Sequence, residues 1–244
     1  ILNVLYNHVM NVSPENFQDA NRDRFIQSKG HSVEALYVVL ADKGFYPEAE
    51  LDTLNRYGSH FIGHPTRKVN GIEQNTGALG HGLSIAVGTA LAAKKDGRTY
   101  RVFTLLGDGE LEEGSNWEAS MSAAHYGLDN LVVIVDYNGL QITGPVETVT
   151  GITNLREKFT AFGYAVREVN GNSIPELMAA FDQLPFEAGK PNLVLAHTTK
   201  GKGISFIENQ VGWHHHVPTD TEFATAMIEL DTAQAAWGAS NGIR

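Results

Sequence analysis

The sequence predicts an α/β fold: a doubly wound, mostly parallel sheet with helices on both faces. Three observations carry this. Arg101-Val-Phe-Thr-Leu-Leu106 and Leu131-Val-Val-Ile-Val135 are continuous apolar, β-branched runs of strand length, the pattern of strands covered on both faces. Between them, Glu113 to Tyr126 sets Trp117, Met121 and Ala124 at helical spacing, which makes strand, crossover helix, strand, a unit with a strong right-handed preference. The same alternation recurs on either side.

Taken in order, Ile1 to Tyr6 reads as the middle of an amphipathic helix with neither an initiator Met nor a basic leader, so the chain is expected to begin inside a longer polypeptide. Arg24 to Gln27 is expected as a short strand feeding a helix from about Ser32 to Lys43. Leu83 to Lys95 reads as a helix whose Ala86, Gly88, Ala90, Ala92 and Ala93 suit close packing on a sheet. Downstream of the central unit, Tyr164 to Val169 is a strand, and Ser173 to Leu184 is a helix capped by Ser173 with Pro175 in its first turn. Leu193 to Thr198 is a further strand. Thr219-Asp-Thr-Glu222 is a capping box for a last helix to about Trp237, and Gly238 to Arg244 reads as a frayed end or linker. The expected division is one domain, 1–218, then a C-terminal helix and tail, 219–244.

Composition narrows the function. The chain has 244 residues with 18 Lys+Arg against 28 Asp+Glu, a formal charge of −10, which argues against a nucleic-acid partner. It is 42% hydrophobic, enough for a sizeable core, yet no apolar run approaches the roughly 20 residues of a membrane span. Cysteine is absent, so thiolate nucleophiles, disulfides and Cys-ligated zinc or iron–sulfur centres are excluded.

Ligands of open parallel sheets bind beyond the carboxyl ends of the strands. Gly107-Asp108-Gly109 stands at such an end, where the glycines allow a sharp turn and Asp108 offers a hard anionic oxygen. Asn138 ends the next strand. If the two strands are neighbours, Asp108 and Asn138 finish side by side and can share one cation, with oxygen donors favouring Mg²⁺ or Ca²⁺. A Mg²⁺ site so poor in protein ligands implies a phosphorylated ligand, and a diphosphate fits. Each motif also has an ordinary reading: Gly-Asp-Gly is a common turn, and Tyr137-Asn138-Gly139-Leu140 could close a type I′ hairpin from Val132–Val135 to Gln141–Thr143.

Leu106-Gly-Asp-Gly-Glu-Leu-Glu-Glu-Gly114 followed by Asp136-Tyr-Asn-Gly-Leu-Gln141 resembles the thiamine-diphosphate fingerprint, in wording similar to transketolases. Asp23-Arg-Phe-Ile-Gln-Ser-Lys-Gly-His31, Gly63-His-Pro65, Asn75-Thr-Gly-Ala-Leu-Gly-His-Gly-Leu83 and Lys200-Gly-Lys-Gly-Ile-Ser205, in that order, resemble pieces of the same diphosphate-binding (PP) domain of the thiamin diphosphate-binding fold. The resemblance implies thiamine diphosphate and Mg²⁺ (Ca²⁺ or Mn²⁺ substituting) as cofactors, with Asp108, Asn138 and the Leu140 carbonyl as metal ligands. It implies a backbone contact from Gly109 to the diphosphate and backbone roles for Gly77 and Leu79 near the rings, with Gly107, Glu110, Asn138 and His214 also among the cofactor contacts. His31, His64 and His214 are implied as catalytic histidines touching diphosphate and sugar oxygens. Imidazole suits such proton exchange near neutral pH. Within Trp213-His-His-His216, His214 is preferred by its spacing after Lys200-Gly-Lys-Gly203, with His215 as fallback. Lys200 and Lys202 are read either as channel residues or as solvated loop lysines. His81 stands where the family commonly has glutamine, and a family histidine in a Gly-His-Pro context is expected upstream of Ile1.

In this family a glutamate on a second, pyrimidine-binding domain activates the cofactor. Glu110, Glu112 and Glu113 follow the metal turn and do not replace it. Only 26 residues follow Pro218, too few for another such sheet. The resemblance therefore implies the diphosphate-binding subunit of a split, cytoplasmic transketolase. It would work with a separate pyrimidine-binding C-terminal subunit in an α₂β₂ assembly and move a two-carbon ketol unit from a ketose or ketose phosphate to an aldose. Two alternatives stand beside it: the α subunit of a thiamine-dependent 2-oxoacid dehydrogenase or decarboxylase, and a catalytically silent cofactor-binding subunit.

Overall fold

A computed structural model describes residues 1–241 of the chain. The expected apolar runs form strands: β1 (Arg24–Gln27), β2 (Val102–Gly107), β3 (Leu131–Tyr137), a small antiparallel pair β4 (Leu140–Gln141) and β5 (Gly144–Pro145), then β6 (Ala165–Asn170) and β7 (Asn192–His197). Helices follow as α1 (Leu2–Val4), α2 (Val33–Asp42), α3 (Gly82–Lys95), α4 (Gly114–His125), α5 (Val146–Val149), α6 (Leu155–Phe162), α7 (Ile174–Phe181) and α8 (Asp220–Asn241).

Five strands lie in the order β1-β2-β3-β7-β6, and every pairing is parallel. Right-handed crossovers explain where the helices sit. The chain advances across the sheet from β1 through β2 and β3 to β6, so α3, α4 and α6 share one face. It then steps back to fill the gap with β7, which sends α7 to the other face with α2. The two cores agree with this. Leu83, Ala86 and Ala90 of α3, Ala119 and Ala123 of α4, and Phe159 of α6 pack on Val133 and Val135. On the far side Leu36, Tyr37 and Leu40 of α2 with Leu177 and Phe181 of α7 pack on Val132 and Ile134. Alternate residues of β3 thus serve opposite cores, which is why the strand reads as an unbroken apolar run.

Local signals set the helix ends. The Ser173 side chain accepts from the Glu176 N–H (3.4 Å) with Pro175 in the first turn. At Thr219 the capping box closes in both directions: the Thr219 N–H donates to Glu222 (2.8 Å), and the Glu222 N–H donates to the Thr219 hydroxyl (3.3 Å).

Three expectations are corrected, and one alternative reading, the hairpin, falls away. The opening segment is one short α turn followed by a π-helical turn over Leu5–Val9. The Asn138-Gly139 turn does not close a hairpin onto β3, because Leu140 and Gln141 pair with Pro145 and Gly144 instead. The helix expected over Ser173 to Leu184 ends at Phe181. The last helix does not stop near Trp237 but runs to Asn241; the rest of the expected tail, 242–244, lies outside the described residues. No helix among the described residues is long and apolar enough to cross a membrane.

Candidate active site

β2 and β3 pair in a register that sets Gly107 opposite Asp136, so Asp108 and Asn138 leave the sheet at the same edge. There Asp108, 1% exposed, accepts from the N–H groups of Gly109 (2.9 Å) and Gly139 (2.5 Å). The turn it grips needs Gly139 at φ +74, and Asn138 Oδ1 braces that turn by accepting from the Leu140 N–H (2.9 Å). Burial pushes the Asp108 carboxyl up to about 6, opposed by the two glycine N–H groups. The result is a buried acid whose charged form a cation beside it would favour.

A cavity of about 810 Å³ opens over this edge, and its wall includes His31, Leu79, Gly107, Asp108, Gly109, Glu110, Asn138, Leu140 and His214. On its floor Lys29 pairs with Asp136, which also accepts from the Thr198 hydroxyl. Burial alone would raise Asp136, but Lys29 and Thr198 outweigh it and hold the carboxyl below its ordinary value.

The histidines gather at one side of the cavity. The rings of His31 and His214 lie 5.2 Å apart, and Lys200 Nζ is 3.4 Å from His214 Nδ1. Although much of His31 is accessible from the cavity, partial burial and then His214, Lys29, His64 and Lys200 push it down to about 4. His214 is lowered by burial, then by Lys200, His215 and Lys29. Of the three consecutive histidines, His214 faces the cavity, while His216 packs on Trp213 at 4.2 Å and pairs with Glu222. His64 and Gly77 meet each other outside the cavity lining. Gly77 sits at φ +144, and a Cβ there would stand 2.5 Å from His64 Cδ2.

Residues 1–234 match the family described as transketolase, thiamine diphosphate binding domain. The chain belongs to this transketolase family. It is 48% identical over 230 residues to one subunit of the apulose-4-phosphate transketolase of Phocaeicola vulgatus, covering 94% of this chain and 82% of that one. With a 6-deoxy-6-sulfo-D-fructose transketolase subunit from a Clostridium species it shares 40% identity over 232 residues, covering 95% and 84%. Its fold superposes on a transketolase from Pichia stipitis with a TM-score of 0.80 at 26% identity, covering 99% of this chain. The chain spans 40% of the length of that solved transketolase.

Asp108, the Asn138 amide and the Leu140 carbonyl are all oxygen donors on one edge, and Gly107 and Gly109 flank the carboxylate. Among the described residues no three His, Cys, Asp or Glu side chains gather as a metal cage. Glu110, expected among the cofactor contacts, turns its carboxylate into the protein. It is 4% exposed and accepts from the Ser28 hydroxyl, the Gly80 N–H (2.9 Å) and the Gly107 N–H (3.1 Å).

Sequence reasoning missed the Lys29–Asp136–Thr198 group. Ser28-Lys29-Gly30 and Asp136 both stand inside the recognised motifs. The one local signal was a lysine and an aspartate without assigned roles at two strand ends, 107 residues apart.

Proposed function

We propose that the chain is the diphosphate-binding subunit of a two-component transketolase, moving a two-carbon ketol unit from a ketose or ketose phosphate to an aldose with thiamine diphosphate and Mg²⁺. One observation carries this reading: Asp108 and the Asn138–Leu140 turn leave neighbouring parallel strands together, with Asp108 accepting from the Gly139 N–H across the gap. Asp108, Asn138 Oδ1 and the Leu140 carbonyl would hold the metal, and the Gly107–Gly109 turn would meet the diphosphate. Bound there, the cofactor supplies an electron sink for breaking and forming a carbon–carbon bond beside a carbonyl.

This chain's own residues bind and move protons. Gly77 and Leu79 present backbone where the rings would lie. His31 and His214 stay uncharged at neutral pH, so each imidazole can donate to or accept from sugar oxygens whose charge changes during cleavage. His64, packed against Gly77, is read as a third histidine for the substrate oxygens, and Lys200, beside His214, as a cation for anionic ones. Relatives named as single subunits of transketolases support a separate partner, read here as a pyrimidine-binding subunit in an α₂β₂ assembly. The same names favour ketol transfer over 2-oxoacid oxidation.

The test is to assay the chain mixed with its partner on ketose plus aldose and, in parallel, on 2-oxoacid plus an electron acceptor. Ketol transfer in the first assay alone is expected. Turnover only in the second would replace this reading with the dehydrogenase one.

A further inference from the structure

Glu110 sits where three segments of the site converge, and its carboxylate reaches all of them. Oε1 accepts from the hydroxyl of Ser28 at the end of β1 and from the N–H of Gly80 in the loop before α3. Oε2 accepts from the N–H of Gly107 at the end of β2. Ser28 Oγ in turn accepts from the Gly82 N–H at 3.1 Å, so the loop before α3 is tied twice.

The surroundings make this a rigid joint. The Glu110 carbonyl is fixed by Asn116 Nδ2 (2.7 Å), a fully buried side chain of α4, and the neighbouring Leu111 carbonyl by Trp117 Nε1 (3.0 Å). Gly80 is held from its other side as well, its carbonyl accepting from the Ser115 hydroxyl (2.7 Å). Gly80 has φ +83, and a Cβ there would fall 2.5 Å from the Glu113 Cβ. The loop therefore abuts the start of α4 with no slack, and Glu110 bridges the loop to the turn. A buried carboxylate is costly unless its oxygens are met by donors, and three donors meet this one.

We propose that Glu110 is a positioning residue whose carboxylate fixes the Gly77–Gly82 loop relative to the Gly107–Gly109 turn, so that one ligand engages both. This rests on the proposed function, in which the turn meets a diphosphate and the loop meets the rings. The diphosphate turn has a second brace besides the joint, because Asp108 holds it through the Gly109 and Gly139 N–H groups. Glutamine at position 110 keeps the size but presents one acceptor and one donor. Whichever way the amide turns, an N–H faces either the Gly107 N–H or the Gly80 N–H.

The experiment compares the reconstituted two-subunit protein with its Glu110→Gln variant by calorimetric titration, with saturating Mg²⁺, using thiamine diphosphate and inorganic pyrophosphate as separate probes. Thiamine diphosphate, which uses turn and loop, is expected to lose about tenfold or more in affinity, and pyrophosphate, which uses the turn alone, less than about threefold. A purely structural role would lower the melting temperature without separating the probes. Equal losses for both, or no loss for either, would overturn the proposal. If the parent binds pyrophosphate but not thiamine diphosphate, the functional reading fails and the proposal with it. Should Glu110→Gln not fold, Ser28→Ala removes two ties, the bond to Glu110 and the one from the Gly82 N–H, and leaves the carboxylate in place. Hydrogen exchange is then expected to quicken over residues 79–83 while β2 and β3 stay protected, and unchanged exchange over 79–83 would count against the joint.

Discussion

Burial moves Asp108 and His31 in opposite directions on the pKa scale and toward the same state, the uncharged one. For His31 the shift is down to about 4, so the imidazole should remain neutral through the range where a ketol transfer works. Nuclear magnetic resonance titration of the cofactor-free chain should find the His31 ring signals unmoved between pH 8 and about 5.5. As pH falls, the unfolded chain takes up a proton near the ordinary histidine value, about 6.5, before the folded chain does. His31 therefore contributes nothing above that value and lowers stability as pH falls toward 4. Urea unfolding at pH 7 and pH 5 should differ less in His31→Asn than in the parent. Asp108→Ala removes the one carboxylate of the candidate metal site from a strand end rather than from the core. Calorimetry should find thiamine diphosphate affinity with Mg²⁺ down by about 100-fold or more, beyond the usual loss for an outer-shell partner, with circular dichroism unchanged. A variant that still binds as the parent does would remove Asp108 from the metal site.

At the scale of elements, the strands were legible because burial on both faces of a parallel sheet writes itself as a continuous apolar run, as in Leu131–Val135. The shared edge of Asp108 and Asn138 was legible for the same reason, since one crossover helix between two such runs makes them neighbours. Other features depend on closeness in space that no local pattern records. Glu110 meets Ser28 across 82 positions, and β7 slots between β3 and β6 although it follows both in the chain. Helix α8 gives a further case. Its Glu229 accepts from both the N–H and the hydroxyl of Ser205 (2.6 Å each), in the loop that carries Lys200 toward His214. The loop is closed by the Asn209 N–H donating to the Lys200 carbonyl (3.0 Å) and by Phe206 packing at a tilt on Trp213. Glu229→Ala should therefore loosen the loop without unfolding the sheet. Hydrogen exchange over 200–210 should rise, and KM for the ketose should increase while kcat stays close to the parent; a fall in kcat at unchanged KM would argue against this coupling.

On the scale of the whole molecule, a chain of formal charge −10 keeps Lys29, Lys200 and two lowered histidines around one cavity, where four carboxylates are already engaged. Asp108 braces the Asn138 turn, Glu110 joins two loops, Asp136 is paired with Lys29, and Glu112 accepts from the Thr150 hydroxyl (2.6 Å). Under the proposed function, the carboxylate that acts on the pyrimidine side of the cofactor is expected from the partner subunit. The chain alone should bind Mg²⁺ with pyrophosphate, since the Gly107–Gly109 turn and the Asn138 turn are complete within it, and should give no ketol transfer. Titrating the partner into a fixed amount of this chain should raise activity linearly to an equimolar break and no further. Ketol transfer by the chain alone would show that the acid is supplied from within, and Glu113, which lines the cavity behind Gly80, would then be the first residue to replace.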